Sequence, residues 1–258
     1  MIRFQNVSFS YKESKIFEDL SFNLDDFSCA SILGLNGEGK TTLIKLILGI
    51  LKPDKGNIYI DDIDIKTLNE NKLSHLLSYV PQENDDSLSM SVIDFICMGL
   101  INRQNIFYGP SNQDKQSALS LLKQICYEEL ADRDLLSLSA GQKRLMYLAR
   151  SFFQDSKILV MDEPVSSLDY IKQYSFLNYL KDYLNKNNKK AILSIHDPIL
   201  AYEFSDTFLF FKDHKLFDIL KIKDNDSTKQ FINDVTFLYD KKVEVISLNN
   251  KLYMNYLL

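Results

Sequence analysis

The 258-residue sequence contains no apolar run that approaches the roughly 20 residues needed by a membrane-spanning helix. Residues 1–6 lack the apolar stretch of a signal peptide. There are only three cysteines, and none are in C-x-x-C spacing, which argues against a disulfide framework or a cysteine metal site. We expect Cys29, Cys97 and Cys126 to be buried thiols of a cytosolic protein, and any membrane role to come through a partner.

The sequence also lacks an excess of positive charge. Thirty Lys and Arg residues stand against 35 Asp and Glu, for a net charge of −5, so no general nucleic-acid or anionic-membrane surface is expected. Internal repeats and low-complexity linkers are absent as well. A content of 45% hydrophobic and 25% charged residues is that of a globular protein, and the length suits one large α/β domain, with or without a sizeable insertion.

A glycine-rich segment at residues 34–42, GLNGEGKTT, fits the phosphate-binding pattern G-x-x-x-x-G-K-[ST]. The short apolar stretch before it, residues 28–33, predicts a buried parallel strand. Residues 42–48 have apolar side chains at helical spacing. In this order the glycines let backbone N–H groups point at phosphate oxygens, and the helix adds its positive dipole end. The segment predicts a nucleoside triphosphate site; the alternative is a glycine-rich turn before an ordinary core helix.

The phosphate-binding pattern assigns roles to particular residues. Lys40 is expected to reach the β- and γ-phosphates, and the Thr41 hydroxyl is expected to ligate Mg²⁺. The remaining predicted nucleotide contacts of the segment are Asn36, Gly37, Glu38, Gly39 and Thr42.

Hydrophobic periodicity predicts the elements around this loop. Antiparallel strands are predicted at residues 2–9 and 16–24, with Tyr11 in a polar loop between them. A short strand and turn are predicted at residues 57–65, further strands at 76–80, 158–161, 191–195 and 207–211, and helices at 140–153 and about 170–186. From about residue 228 we expect a short helix and then a hairpin that turns at residues 249–250.

Residues 88–136 lack β-branched strands and show helical periodicity at 91–98, 116–125 and 128–135. The sequence therefore predicts one domain over residues 1–258, with a helical subdomain inserted at 88–136 and an extension at 228–258.

Asp162 and Glu163 follow four apolar residues, a pattern that places carboxylates at the carboxyl edge of a buried parallel strand. Asp162 would hold Mg²⁺ directly or through water, and Glu163 would polarise the attacking water as general base. The alternative is a solvated acidic loop after a core strand.

Residues 138–142, LSAGQ, predict a helix start with Ser139 as its N-cap. A phosphate loop, then L-S-x-G-Q about 100 residues later, then an apolar run ending in Asp-Glu about 20 further on, resembles the ATP-binding-cassette (ABC) family. The resemblance covers residues 2–225. It implies an α/β P-loop NTPase of the ABC ATPase fold, with a RecA-like core, an N-terminal antiparallel β-subdomain and an inserted helical subdomain. The implied cofactors are ATP and Mg²⁺.

Four further residues match motifs of the family. Tyr11 stands where the family stacks an aromatic ring on adenine, and Gln82 resembles the residue that senses Mg²⁺ and couples the site to a partner protein. Asp169 lies in a segment resembling the loop that contacts the opposite subunit, and His196 resembles the histidine that contacts the γ-phosphate. Taken alone, Tyr11 reads as a loop tyrosine and His196 as a structural histidine.

The resemblance implies a dimer of two copies with ATP between them. The signature segment of one copy, Ser139, Ala140, Gly141 and Gln142, would close over the γ-phosphate held by the other, using the Ser139 hydroxyl and the Gly141 backbone. The family usually has glycine where this chain has Ala140, so we expect the alanine methyl group to crowd the phosphate and slow closure.

Short segments at residues 107–114, 130–133, 168–173 and 196–198 resemble one importer branch of the family, which takes up iron–siderophore complexes, cobalamin, haem or molybdate. The implied partners are polytopic permease subunits, contacted through residues 82–98, and indirectly a substrate-binding protein; no nucleic acid is expected. The chain would be peripheral on the inner face of the cell membrane. Iron chelate is the substrate we favour. The competing class is a soluble ABC ATPase for assembly, such as iron–sulfur cluster biogenesis.

Overall fold

The computed structural model describes residues 1–82, 89–100, 109–166, 168–240, 243–248 and 251–257. The chain forms two compact units, one made of Met1–Thr67 together with Lys190–Leu258 and the other of Leu68–Lys189. Among the described residues, no helix combines the length and the apolar character that crossing a membrane requires.

The strands are β1 (Ile2–Tyr11), β2 (Ser14–Leu24), β3 (Cys29–Gly34), β4 (Lys55–Ile60), β5 (Ile63–Asp64), β6 (Leu77–Val80), β7 (Ile158–Met161), β8 (Lys190–Ser194), β9 (Thr207–Lys212), β10 (Lys215–Lys221), β11 (Val243–Leu248) and β12 (Lys251–Tyr256). The helices are α1 (Lys40–Ile47), α2 (Glu70–Leu76), α3 (Val92–Cys97), α4 (Asn112–Gln124), α5 (Ala140–Gln154), α6 (Tyr170–Asn187), α7 (Pro198–Phe204) and α8 (Asn225–Leu238). Short 3-10 turns lie at Ile65–Thr67, Met98–Leu100, Glu128–Leu130 and Leu135–Ser137.

In the first unit, β2, β1, β4 and β5 form an antiparallel sheet, as the alternating pattern predicts. Tyr11 does not lie in a loop, because β1 continues through it and pairs it with Ser14. Only two residues turn the chain between these strands. The Tyr11 ring packs edge-on against Phe9, with ring centroids 4.9 Å apart.

The second sheet of this unit has β3 between β8 and β9, parallel to both, with β10 antiparallel on β9. All six residues of β3 are buried. The predicted strands at 191–195 and 207–211 are confirmed as β8 and β9, whereas β10 was not predicted. Since parallel strands end at the same edge of a sheet, the loops that follow β3 and β8 lie side by side at that edge.

The C-terminal part of the first unit consists of α8 and the β11–β12 hairpin. The helix begins at Asn225, earlier than expected, because Asp224 and Ser227 form a capping box. Phe231 of α8 is fully buried against Phe208 of β9, with ring centroids 4.7 Å apart. The hairpin is present as predicted, but its expected turn at residues 249–250 lies outside the described residues.

In the second unit, β6 and β7 pair in parallel, and α3, α4 and α5 pack together. Within the region predicted to be helical, α3 and α4 are confirmed. The predicted helix over residues 128–135 is wrong, because only 3-10 turns form there. Asp134 interrupts the segment by accepting a hydrogen bond from the Leu136 N–H, at 2.8 Å, and by bridging to Ser91.

The expectation that all three cysteines are buried holds for Cys29 and Cys97 but is wrong for Cys126. Cys126 directly follows the C-cap of α4, in a left-handed conformation with φ of 58°. This turn carries its side chain to the surface.

Candidate functional site

The phosphate loop connects β3 to α1 in the first unit, as the sequence predicts. Gly37 and Gly39 have φ of 89° and 90°, which side chains other than glycine rarely adopt. At Gly39 a Cβ atom would also lie 2.8 Å from Ile16 Cγ2 and 2.9 Å from Phe17 Cζ. Glycine is therefore required there both by conformation and by contact with β2.

Lys40 is the first residue of α1 and is only 6% exposed. Its ammonium donates hydrogen bonds to the Gly34 and Leu35 carbonyl oxygens, at 2.8 and 2.9 Å. These bonds hold the side chain against the loop that precedes the helix. Thr41 is half-buried and Thr42 is buried, so the start of the helix is packed into the core.

The N-terminus of α1 follows Gly39, which has no side chain that could cap it. The loop residues Asn36 and Gly37 are exposed, and Glu38 is half-buried. An uncapped helix start beneath an exposed glycine loop is the geometry that proteins use to bind phosphate.

His196 lies at the same sheet edge as the phosphate loop. The Ile195 N–H donates to the Ile32 carbonyl of β3, at 3.4 Å, so the residue after it emerges where β3 runs into the loop. The His196 side chain is exposed, and its carbonyl oxygen accepts a hydrogen bond from the Tyr239 hydroxyl, at 3.2 Å.

Tyr11 lies at the end of the β1–β2 hairpin and is 44% exposed. The same hairpin contacts the phosphate loop, since Ile16 and Phe17 enclose Gly39. Tyr11 thus belongs to the element that borders the loop.

In the second unit, Asp162 and Glu163 follow β7, as predicted, and Gln82 follows β6 after one residue. The Gln82 side-chain amide donates to the Glu163 carboxylate, at 2.7 Å. Asp162 is 1% exposed, and its N–H donates to the Val80 carbonyl, at 3.0 Å. Burial, with a smaller contribution from Asp162, raises the pKa of Tyr79 to about 12. The structure thus brings Gln82, Asp162 and Glu163 together at one end of the paired strands β6 and β7.

Arg144 of α5 joins these loops, and sequence reasoning missed it. Its guanidinium donates to the Gln82 carbonyl at 2.6 Å, to the Glu163 carbonyl at 3.2 Å, and to the Pro81 carbonyl. Arg144 is 1% exposed; burial lowers the pKa of its guanidinium, and the carboxylates of Asp162 and Glu163 oppose that shift. Its position two residues after the L-S-x-G-Q segment was the one available signal.

The signature segment begins α5 in the second unit. Ser139 is the N-cap, and it forms a capping box with Gln142 through bonds of 3.0 and 3.3 Å. Ser139 and Ala140 are exposed. A Cβ atom on Gly141 would lie 3.1 Å from Leu168 Cδ2, so this glycine lets the loop before α6 approach α5 closely.

Asp169 is the N-cap of α6 and is exposed. A hydrogen bond and ion pair with Lys172, at 2.7 Å, together with the Lys172 N–H, lower the pKa of the Asp169 carboxyl. Asp169 therefore carries a negative charge beside the signature segment.

The described residues contain no group of three or more His, Cys, Asp or Glu side chains arranged to hold a metal ion. The predicted metal ligands include a hydroxyl and an amide besides a carboxylate. They are Thr41 in the first unit, and Asp162 and Gln82 in the second.

Comparison with known proteins defines the class. Residues 17–166 match the ABC transporter family. The probable iron chelatin transport ATP-binding protein of Helicobacter pylori (strain 26695) is 35% identical over 253 residues, which are 98% of each chain. The molybdate import ATP-binding protein MolC of Haemophilus influenzae (strain Rd) is 32% identical over 195 residues, which are 75% of this chain and 72% of that one.

Solved structures agree with this result. An ABC transporter assigned to the metal-chelate type, solved in an inward-facing conformation, matches with a TM-score of 0.81 and 25% identity over 99% of this chain and 96% of that one. One other cassette of the fold has been solved as a dimer in two structures, the second of them bound to ADP and phosphate.

The chain belongs to the ABC transporter family. It has the ABC ATPase fold and is the ATP-binding, ATP-hydrolysing subunit of a transporter. The predictions of family, fold and enzyme class are confirmed.

Proposed function

We propose that this chain energises an importer that takes up an iron chelate. The observation that carries the proposal is the 35% identity to the iron chelatin protein of H. pylori, which extends over 98% of both chains. The likeness to the metal-chelate type transporter supports it. A likeness limited to the nucleotide motifs would have favoured no substrate.

We assign ATP phosphate binding to the loop of the first unit. Backbone N–H groups of Asn36, Gly37, Glu38 and Gly39 face the phosphates, and Lys40 pairs with the β- and γ-phosphates. Thr42 lies in the first turn of the helix beneath them. Tyr11 stacks on adenine; its exposed ring on the hairpin bordering the loop supports this role.

Mg²⁺ fits the donor set of Thr41, Asp162 and Gln82, because hydroxyl, carboxylate and amide oxygens are the hard ligands this ion prefers. The Gln82 amide nitrogen is engaged with Glu163, which leaves the amide oxygen for a cation. Bound Mg²⁺ would neutralise phosphate charge.

Glu163 is the general base that takes a proton from the attacking water. Its carboxylate is oriented by the Gln82 amide, and its main chain is held by Arg144. His196 contributes a hydrogen bond to the γ-phosphate; its position at the edge where the phosphate loop begins supports this assignment.

A second copy of the chain completes the site. Ser139, Ala140, Gly141 and Gln142 of one copy meet the γ-phosphate on the other, and Asp169 lies in the contact. The exposed, capped helix start at Ser139 supports an intermolecular role, since it is free to meet another surface.

Polytopic permease subunits hold the pair at the inner face of the membrane, and a substrate-binding protein delivers the chelate to them. We assign permease contact to residues 82–98, of which residues 83–88 lie outside the described part. The importer-like segment 107–114 also begins with two such residues. We also propose that residues 88–136 are a helical subdomain inserted in the ATPase domain, and that residues 228–258 are an extension of that domain.

Uptake in cells that lack the chain tests the proposal. Wild type should restore accumulation of radiolabelled iron–siderophore complex, and Lys40→Ala should not, because it loses the phosphate contact. Uptake of cobalamin, haem and molybdate is measured in parallel. If the wild-type chain restores uptake of one of these and not of the iron–siderophore complex, that compound is the substrate.

Purification of the tagged chain from detergent-solubilised cells separates the classes. A stoichiometric many-helix membrane protein supports the importer. Recovery with soluble assembly proteins alone would favour an ATPase for iron–sulfur cluster assembly.

A further inference from the structure

Glu38 places a carboxylate inside the loop that binds phosphates. The phosphate-binding pattern leaves this position open, so the motif itself does not call for an acid. A negative charge close to a triphosphate is unfavourable unless it is turned away or engaged elsewhere. The structure contains such an engagement.

The Glu38 carboxylate accepts a hydrogen bond from the His214 N–H, at 2.7 Å. The stem of the side chain lies over the beginning of the loop. A Cβ atom built on Gly34 would be 3.3 Å from Glu38 Cβ and 3.0 Å from the Phe211 carbonyl oxygen. Glu38 thus crosses from the loop to the end of β9.

The donor belongs to a rigid element. Asp213 and His214 form the two-residue turn between β9 and β10, with φ of 52° and 60°, as a type I′ turn requires. Phe211 of β9 also pairs with Gly34 of β3. Loop and turn are therefore held by the same sheet, and the His214 N–H has a fixed direction.

We propose that Glu38 is a positioning residue for ATP binding. Its carboxylate links the phosphate loop to the β9–β10 turn through the His214 N–H. This link holds the loop N–H groups in place for phosphate and keeps the carboxylate directed at the turn. The proposal concerns ATP affinity and does not depend on the transported substrate.

The test measures the KM for ATP and the kcat of Glu38→Gln, Glu38→Ala and the control variant His214→Gly. Glu38→Gln keeps an oxygen that accepts the His214 N–H, whereas Glu38→Ala does not. Both lack the charge, so the ratio of their KM values isolates the tether. We expect KM to be about fivefold higher for Glu38→Ala than for Glu38→Gln, as the loss of one neutral hydrogen bond implies. Their kcat values should agree within about twofold.

His214→Gly is the matched control, because it keeps the N–H and suits the positive φ. Its KM should equal that of the wild type. KM values for Glu38→Ala and Glu38→Gln within about 1.5-fold of each other would overturn the proposal. A KM for Glu38→Gln more than threefold above that of the wild type would also overturn the proposal, since this variant retains the hydrogen bond. This second comparison tests the proposal even if Glu38→Ala fails to fold.

Discussion

Glu163 is held by its main chain as well as its side chain. Its φ is 46°, a left-handed conformation that costs a glutamate about 1 kcal/mol or more. Its carbonyl oxygen accepts bonds from Arg144 and from both the N–H and hydroxyl of Ser166. These donors maintain the conformation that directs the carboxylate to Gln82.

Glu163→Gln should lower kcat for ATP hydrolysis at least about 100-fold, because an amide cannot take the proton from water. ATP affinity should be retained, since the Gln82 contact can still form. The measurement is phosphate release under saturating ATP, with exposed Glu129→Gln as the control. Hydrolysis at the wild-type rate would refute the assignment of Glu163 as base.

Arg144→Lys should destabilise the protein by about 2–4 kcal/mol and lower kcat about tenfold. A lysine ammonium cannot reproduce the planar fork that serves three carbonyl groups, so buried acceptors lose their donor. Urea unfolding and ATPase assays measure both effects. The exposed Arg133→Lys is the control, and equal stabilities for the two variants would contradict the role of Arg144.

At the scale of elements, α5 carries the signature segment at its start and Arg144 one turn later. Ala140 is the first residue of the helix and is exposed, so its methyl group projects onto the surface that we assign to the second copy.

Ala140→Gly should therefore raise the ATPase rate about two- to fivefold, because the methyl group no longer crowds the phosphate. The helix should lose less than about 1 kcal/mol. Steady-state ATPase assays and thermal unfolding provide the comparison. An unchanged rate and unchanged dimerisation would show that the methyl group is tolerated.

A pair of carboxyl groups lies between α8 and β10. Asp234 is 6% exposed, and among the described residues no N–H or O–H donates to its Oδ2. Burial and the adjacent Asp218 carboxyl raise the pKa of Asp234 to about 7. The pair is stable when it carries a proton.

This shift predicts a pH dependence. An unfolded aspartate has a pKa of about 3.9, so between about pH 4 and 7 the folded state binds more protons, and the free energy of unfolding falls as pH rises. Asp234→Asn should flatten this slope and raise stability at pH 8 by at least about 1 kcal/mol. Urea unfolding at pH 5, 6.5 and 8 measures it, with Asp226→Asn as the control. A wild-type slope retained in Asp234→Asn would exclude the pair as its source.

The sequence predicted β1 and α5 from a periodicity that reflects one buried face, and β3 from a short apolar run that is buried throughout. It missed β10, because the Lys215–Lys221 strand is half-buried along most of its length and shows no clear alternation. The motif residues were predictable from spacing. Arg144 and the tether of Glu38 were not, because their partners lie 62 and 176 positions away in the chain.

At the scale of the whole molecule, the proposed site needs two copies. Glu163→Gln should form a dimer in the presence of ATP and remain a monomer with ADP, because only the triphosphate offers a γ-phosphate to the signature segment. Light scattering on a sizing column distinguishes the two states. The double variant Lys40→Ala, Glu163→Gln should stay monomeric, and a dimer that forms without nucleotide would refute ATP-dependent closure.

The strand β3 that leads into the phosphate loop is made early, yet its two neighbours, β8 and β9, follow the whole of the second unit. During synthesis at about 5–20 residues per second, residues 35–189 take about 8–30 s to appear. For that interval an apolar strand has left the ribosome without the partners that bury it. The nascent chain therefore needs protection from aggregation during this window, and synonymous changes that slow translation within residues 35–189 should lower the yield of folded protein.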